Sequence, residues 1–187
     1  MKLKLLGGLV TVFILFAGAA LAPAGSYAES AAQAVGLEVE AADASPNEWV
    51  ISNAEAIECA ARYGPFACNH ARDAANWARD VTVWKFPNMS HHNNQADAFR
   101  HCAWMGALAT RVGLSTAYWI GHLHEQHAPG PDQEFYMDVW NNYRGAQYGQ
   151  IARDARLDDQ WGYVLRVCES GARNGHLYGL NGIRGNY

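Results

Sequence analysis

Basic charge is scarce in this chain: 14 Lys and Arg stand against 18 Asp and Glu in 187 residues, for a formal net charge of −4. A protein that tracks a nucleic-acid backbone needs a basic face to displace counterions, and none is present. The acidic balance also argues against an anionic membrane surface as the resting partner. Cysteines number only four and no C-x-x-C pair occurs, which argues against a cysteine zinc site. No window shows the sustained alternation of β-branched and polar residues that a sheet needs. H-E-x-x-H is absent, because Glu125 is followed by Gln126 and His127. There is no G-x-S-x-G elbow, no Walker loop and no Rossmann glycine fingerprint either. The standard signatures of zinc proteases, serine hydrolases and nucleotide-binding proteins are thus missing.

What is there begins with an export signal. Lys2 and Lys4 precede a run from Leu5 to Ala22 that is apolar apart from Thr11. Small-x-small sites follow at Ala20-Leu21-Ala22 and Ser26-Tyr27-Ala28; Pro23 disfavours the first, so cleavage after Ala28 is expected. A retained anchor is the competing reading, since the run approaches spanning length. On the cleavage reading, residues 1–28 are a signal peptide, 29–44 a flexible Ala- and Glu-rich leader, and 45–187 one helical domain. The expected mature protein is secreted or extracytoplasmic, without stable membrane association, and loses Lys2 and Lys4 to reach a net charge of −6. Four cysteines in such a chain mean two disulfides. Of the three connectivities, Cys59–Cys68 with Cys102–Cys168 is favoured. The first staples a tight turn across Tyr63-Gly64-Pro65-Phe66, and the second ties a mid-chain helix to the last one.

Helical punctuation organises the rest into an all-α, single-domain bundle of five or six helices. Ser45-Pro46-Asn47-Glu48 and Ser52-Asn53-Ala54-Glu55 each offer a capping box for a first helix ending at Gly64. Pro65 opens a second, carrying Trp77 and Trp84 and stopping by Pro87. Asn93 or Asn94 caps a third that runs to about Gly113, and Ser115 caps a fourth over Thr116 to Ala128. A fifth spans Asp132 to about Ala155, and Asp158 or Asp159 caps a sixth that continues through Ala172. The seven tryptophans recur at helical spacing and read mostly as core.

Three of these helices carry interior-directed polar residues. The third holds Asp97, Arg100 and His101; Asp97 and His101 stand four residues apart, on the stripe continued by Trp104 and Leu108. The fourth holds His122, His124, Glu125 and His127. The fifth holds Asp138, Asn141 and Asn142 on the face that also bears Gly145 and Gly149, where small residues let another backbone approach. Facing helices of bundles commonly build metal sites from such groups. Asp97, His101, Asp138 and either His124 or Glu125 would make a mixed nitrogen and oxygen set, suited to zinc or another divalent transition metal. Arg100 and Asn142 would then steady an oxyanion or a phosphate-like group. Without a metal, Glu125 would serve as general acid or base, with His101 oriented by Asp97. The bland readings stand beside these. Asp97 at the third helical position is also a capping carboxylate, His101 also a core histidine bonded to it, and Asp138 also a bridge between helices. His122 and His127 read as solvent-facing, and His91 and His92 as loop residues before the third helix.

The run Asp97-Ala98-Phe99-Arg100-His101, followed by Trp104, His124-Glu125, Met137-Asp138, Asn141-Asn142 and Gly145, resembles an uncharacterised bacterial domain family. Its members are exported proteins or toxin-like C-terminal modules of unknown function. The resemblance spans about Ser45 to Tyr178. It implies that Asp97, Arg100, His101, His124, Glu125, Asp138 and Asn142 belong together, and it assigns no activity.

The leading expectation is a secreted hydrolase, metal-assisted, attacking an ester, a phosphodiester or a cell-envelope bond. Antibacterial action is the role the toxin-like association implies. The rival expectation, from a different class, is a secreted binding or structural domain whose polar cluster is only a buried hydrogen-bond network.

Overall fold

The computed structural model describes residues 51–128 and 130–180. The signal peptide, the leader, the Ser45 capping box and residues 181–187 lie outside the described residues. Five helices follow one another: α1 (Asn53–Lys85), α2 (Gln95–Val112), α3 (Leu114–His127), α4 (Asp132–Asp154) and α5 (Gln160–Arg173). No strand occurs among the described residues, so the all-α reading holds. None of these helices is long and apolar enough to cross a membrane.

Ser52 opens α1 by accepting the Glu55 amide at 3.1 Å, as half of a capping box. The other half does not form as expected, because the Glu55 carboxylate is bonded to His124 instead. The two helices expected on either side of Gly64 are segments of this one kinked element. Gly64 sits at φ 81°, ψ 155°, a backbone state open to glycine, and Pro65 has no amide to donate across the break. Cys59 and Cys68 close the kink as a disulfide, and Cys102–Cys168 joins α2 to α5, so both expected pairings are present.

Helix α2 is the axis of the molecule. Asn94 caps it, accepting the Ala96 and Asp97 amides, and every residue from Ala96 to Thr110 is buried. A helix buried all round has no wet face on which to place polar side chains. Asp97, Arg100 and His101 must therefore find partners on neighbouring helices. The α2 contact with α4 is the most intimate, because it runs through glycine: a Cβ on Gly145 would lie 2.1 Å from the Cys102 carbonyl oxygen, and one on Gly149 2.1 Å from that of Gly106.

Two local expectations need correction. Ser115 does not cap the fourth helix. Gly113, at φ 84°, ends α2 and starts α3 in one residue, and the first free amide, Leu114, is satisfied at 2.8 Å by the Gln150 side chain of α4. The core reading of the tryptophans holds for Trp104, with Trp77 and Trp161 packed against the core, but not for all of them. Trp104 is fully buried and donates to the Ala71 carbonyl, whereas Trp84 and Trp119 are at least half exposed.

Substituting Gly145 with alanine forces the α2 and α4 backbones apart. Overpacking of this kind costs about 1–3 kcal/mol, and more where backbone must move. Gly145→Ala is expected to lower the midpoint of thermal unfolding by several degrees, whereas Gly130→Ala, which meets only the flexible Glu134 side chain, is expected to change it little.

Candidate metal centre

His101 is the centre of the polar set, and its two ring nitrogens face different chemistry. Nδ1 lies 3.2 Å from Asn142 Oδ1 and 3.4 Å from Glu125 Oε1. The Asn142 amide nitrogen donates to that same Glu125 oxygen at 2.7 Å. This arrangement places a proton on Nδ1, shared between two acceptors. Nε2 faces Asp138 Oδ1 at 3.3 Å and Asp97 Oδ1 at 3.5 Å, and presents a lone pair to them only while the ring is neutral. Two carboxylate oxygens around a lone pair repel unless a cation or a proton stands between them.

Each residue has a structural reason to be there. The Asn93 amide donates to Asp97 Oδ2 at 2.6 Å, so Oδ1 is left to face His101. Arg100 donates to Asp97 Oδ1 and lies 3.3 Å from His101 Nε2. Asp138 projects from α4 one turn before Asn142, on the face that glycine brings against α2. Its Oδ1 is buried and accepts no hydrogen bond.

Electrostatics make the set a cation seeker. Three carboxylates (Asp97, Glu125, Asp138) share it with one guanidinium, leaving two negative charges uncompensated while His101 is neutral. Burial alone would keep His101 uncharged, but Asp138 and Glu125 outweigh it and raise its pKa to about 9. Burial, reinforced by Glu125 and Asp97 and opposed by His101 and Arg100, pushes the Asp138 carboxyl up to about 7. Asp97 and Glu125 move the other way. Burial works against their ionisation, yet Arg100 and His101 hold Asp97 below the usual carboxylate range, and His101 does the same for Glu125.

A divalent ion is the alternative to those protons. Donor atoms of Asp97, His101 and Asp138 all lie within 4.8 Å of one another. Ligands about 2.1 Å from a tetrahedral ion stand roughly 3.4 Å apart, and the distances from Nε2 to the two aspartates match that spacing. The mixed donor set fits zinc or a related transition ion better than magnesium. Glu125 and Asn142, behind Nδ1, take the place of the partners that orient metal-binding histidines.

Of the residues expected in the site, Asp97, Arg100, His101, Glu125, Asp138 and Asn142 come together. His124 does not join the donor set. It turns to the other side of α3, where Nδ1 bonds Glu55 at 2.8 Å and the ring meets Trp104 edge-on. Consecutive residues on a helix point about 100° apart, so His124 and Glu125 cannot both face α2 at the same place. Arg100 is bonded to Asp97. Asn141 also departs from its neighbour, exchanging two hydrogen bonds with the Tyr178 backbone and so anchoring the tail. His127 is not simply solvent-facing but bonds Glu58 at 2.8 Å, and His122 stacks on Tyr118. His91 points back to the Phe86 carbonyl, whereas His92 reaches Glu134 beside the site.

Sequence reasoning passed over Glu134 and took Asn93 only as a helix cap. A usable signal existed: Glu134 stands four residues before Asp138 and therefore shares its face. A groove of about 510 Å³ lined by Tyr118, Tyr136, Val139, Trp140 and Tyr143 also opens between α3 and α4, but shares none of the donor residues.

Residues 59–170 match the family described as a domain of unknown function (DUF6973), and the chain belongs to it. The matched span contains every member of the polar set. No solved structure matches the chain.

The pH dependence of the metal-free protein follows from these shifts. His101 and Asp138 have folded pKa values above their ordinary ones. Their contribution is complete below about 3.8 for Asp138 and 6.5 for His101, and is lost as pH rises through about 7 and about 9 respectively. Asp97 and Glu125, with depressed values, contribute above their ordinary pKa and lose that contribution on acidification. Metal-free protein is expected to lose on the order of a few kcal/mol between about pH 5 and pH 9. Asp138→Asn should flatten that slope below pH 7, as read by chemical denaturation across the range.

Proposed function

We propose that this chain is an exported, metal-assisted hydrolase that cleaves an ester, a phosphodiester or a cell-envelope bond. The observation that carries this reading is the spacing of Asp97 Oδ1, His101 Nε2 and Asp138 Oδ1 in a largely buried cluster whose carboxylates outnumber its fixed cations. Zinc or a similar ion held there would supply a Lewis acid beside which water becomes a nucleophile near neutral pH. The remaining work belongs to the chain. Glu125 and Asn142 fix the His101 ring and keep its proton on Nδ1. The Asn93 amide fixes the rotation of Asp97. Asp138, the most exposed of the three donors, marks the side from which a substrate would arrive. The Arg100 guanidinium balances part of the carboxylate charge and would yield its place against Nε2 to an arriving ion while keeping its bond to Asp97. The two disulfides accord with export into an oxidising compartment. A toxin-like, antibacterial role is the biological setting that the sequence resemblance suggests for such an activity.

A structural reading has its own support. Arg100 together with protons on His101 and Asp138 can balance the carboxylates without any metal, leaving a buried hydrogen-bond network.

Metal analysis of the purified, oxidised protein separates the two. About one divalent ion per chain is expected in the native protein and none in a His101→Ala, Asp138→Ala double variant. Zinc at a hundredfold excess over its Kd should add about 2.7 kcal/mol to the stability of the native protein alone. Hydrolysis of simple aryl esters or phosphodiesters should fall at least tenfold on chelation. A native protein that takes up no ion and gains no stability from zinc would leave only the hydrogen-bond network.

A further inference from the structure

The donor set is almost sealed, and one bridge closes what remains. Asp97 and His101 are buried to within a few per cent, and only Asp138, with 15% of its side chain exposed, reaches toward solvent. Directly on that side, Glu134 stands one helical turn before Asp138 on α4. The loop leading into α2 crosses to it at Asn93. The Asn93 backbone amide holds Asp97 Oδ2, and its side-chain amide donates to Glu134 Oε1. A single residue thus spans from the first turn of α2 to the first turn of α4, across the gap between Asp97 and Asp138. Asn93 adopts φ 58°, a left-handed state that asparagine tolerates better than most residues. His92 adds a looser contact, 3.6 Å from Glu134 and largely exposed.

We propose that the Asn93–Glu134 bridge is the gate of this donor set, with Glu134 the carboxylate that an incoming divalent cation meets first. The proposal rests on the cation reading above for its ligand, but the gate itself is a statement about access to His101. Glu134 keeps negative charge at the mouth and attracts cations toward Asp138. Its bond to Asn93 holds the loop shut over Asp97. An arriving ion competes with the Asn93 amide for the Glu134 oxygens. Once that bond breaks, the loop keeps the Asn93 backbone amide on Asp97 but holds to α4 only by the looser His92 contact, and the way to Nε2 opens.

Three variants separate the parts. Asn93→Gly suits the left-handed backbone and keeps the amide bond to Asp97 while deleting the side-chain latch. Glu134→Ala removes the latch from the other side. Glu134→Gln keeps an acceptor for Asn93 but removes the charge. Deuterium exchange at C2–H of the His101 imidazole, read by mass spectrometry on metal-free protein, reports access without reference to any ion. Asn93→Gly and Glu134→Ala are expected to speed that exchange about fivefold or more, with Glu134→Gln near the native rate and thermal midpoints close to native for all three. In stopped-flow mixing with zinc, Asn93→Gly should bind several times faster than native protein and Glu134→Gln several times slower. Unchanged His101 exchange in both Asn93→Gly and Glu134→Ala would overturn the gate. Faster exchange in those two with no zinc uptake by any form would keep the gate and remove the cation as its ligand.

Discussion

The close approach of α2 and α4 is the constraint on which everything else depends. Gly145 and Gly149 let the two backbones meet where any side chain would collide with the Cys102 or Gly106 carbonyl. At that separation the short side chains of Asp97 and Asp138 reach the same imidazole nitrogen. One turn farther along α4, Asn142 reaches the other nitrogen of the ring. A wider gap filled by alanine or larger residues would leave each of these groups to seek a partner of its own. The disulfide from Cys102 to Cys168 lies at the same level and ties the central helix to α5.

Burial of α2 on all sides turns a packing fact into an electrostatic one. Charged groups with no solvent must be balanced locally, and the balance is distributed in separate groups. Around His101 the carboxylates outnumber the fixed cations, and the deficit is what a proton or a metal ion can fill. One residue away on α3, His124 and Glu55 form a separate buried pair, and His127 with Glu58 repeats it a turn later. The second and third groups pin the first turns of α1 to the end of α3. They stiffen the wall behind Glu125 and take no part in the donor set.

Access and closure are coupled through the loop before α2. The same backbone amide that orients Asp97 belongs to the residue whose side chain reaches Glu134. The order of the site and its isolation from water therefore share one short segment. The aromatic groove of α3 and α4 shares no residue with the donor set.

Much of this was legible in the chain. Helix boundaries were written in Ser52, Asn94 and Asp159 as caps and in Gly64-Pro65 and Gly113 as breaks. Cysteine spacing allowed the right pairing, and the one-face arrangement of Asp138, Asn142 and Gly145 pointed to the helix contact. Those features are local: capping, glycine conformation and helical periodicity act within a turn or two of sequence. What only the tertiary structure decided was which of several polar neighbours meet. His124 and Glu125 are adjacent, as are Asn141 and Asn142, yet in each pair one residue joins His101 and the other leaves for Glu55 or Tyr178. The rotation of each helix about its own axis sets that choice, and it depends on the packing of all five helices together. Glu134 joined the site for the same reason, since its place at the mouth depends on a loop from a different part of the chain.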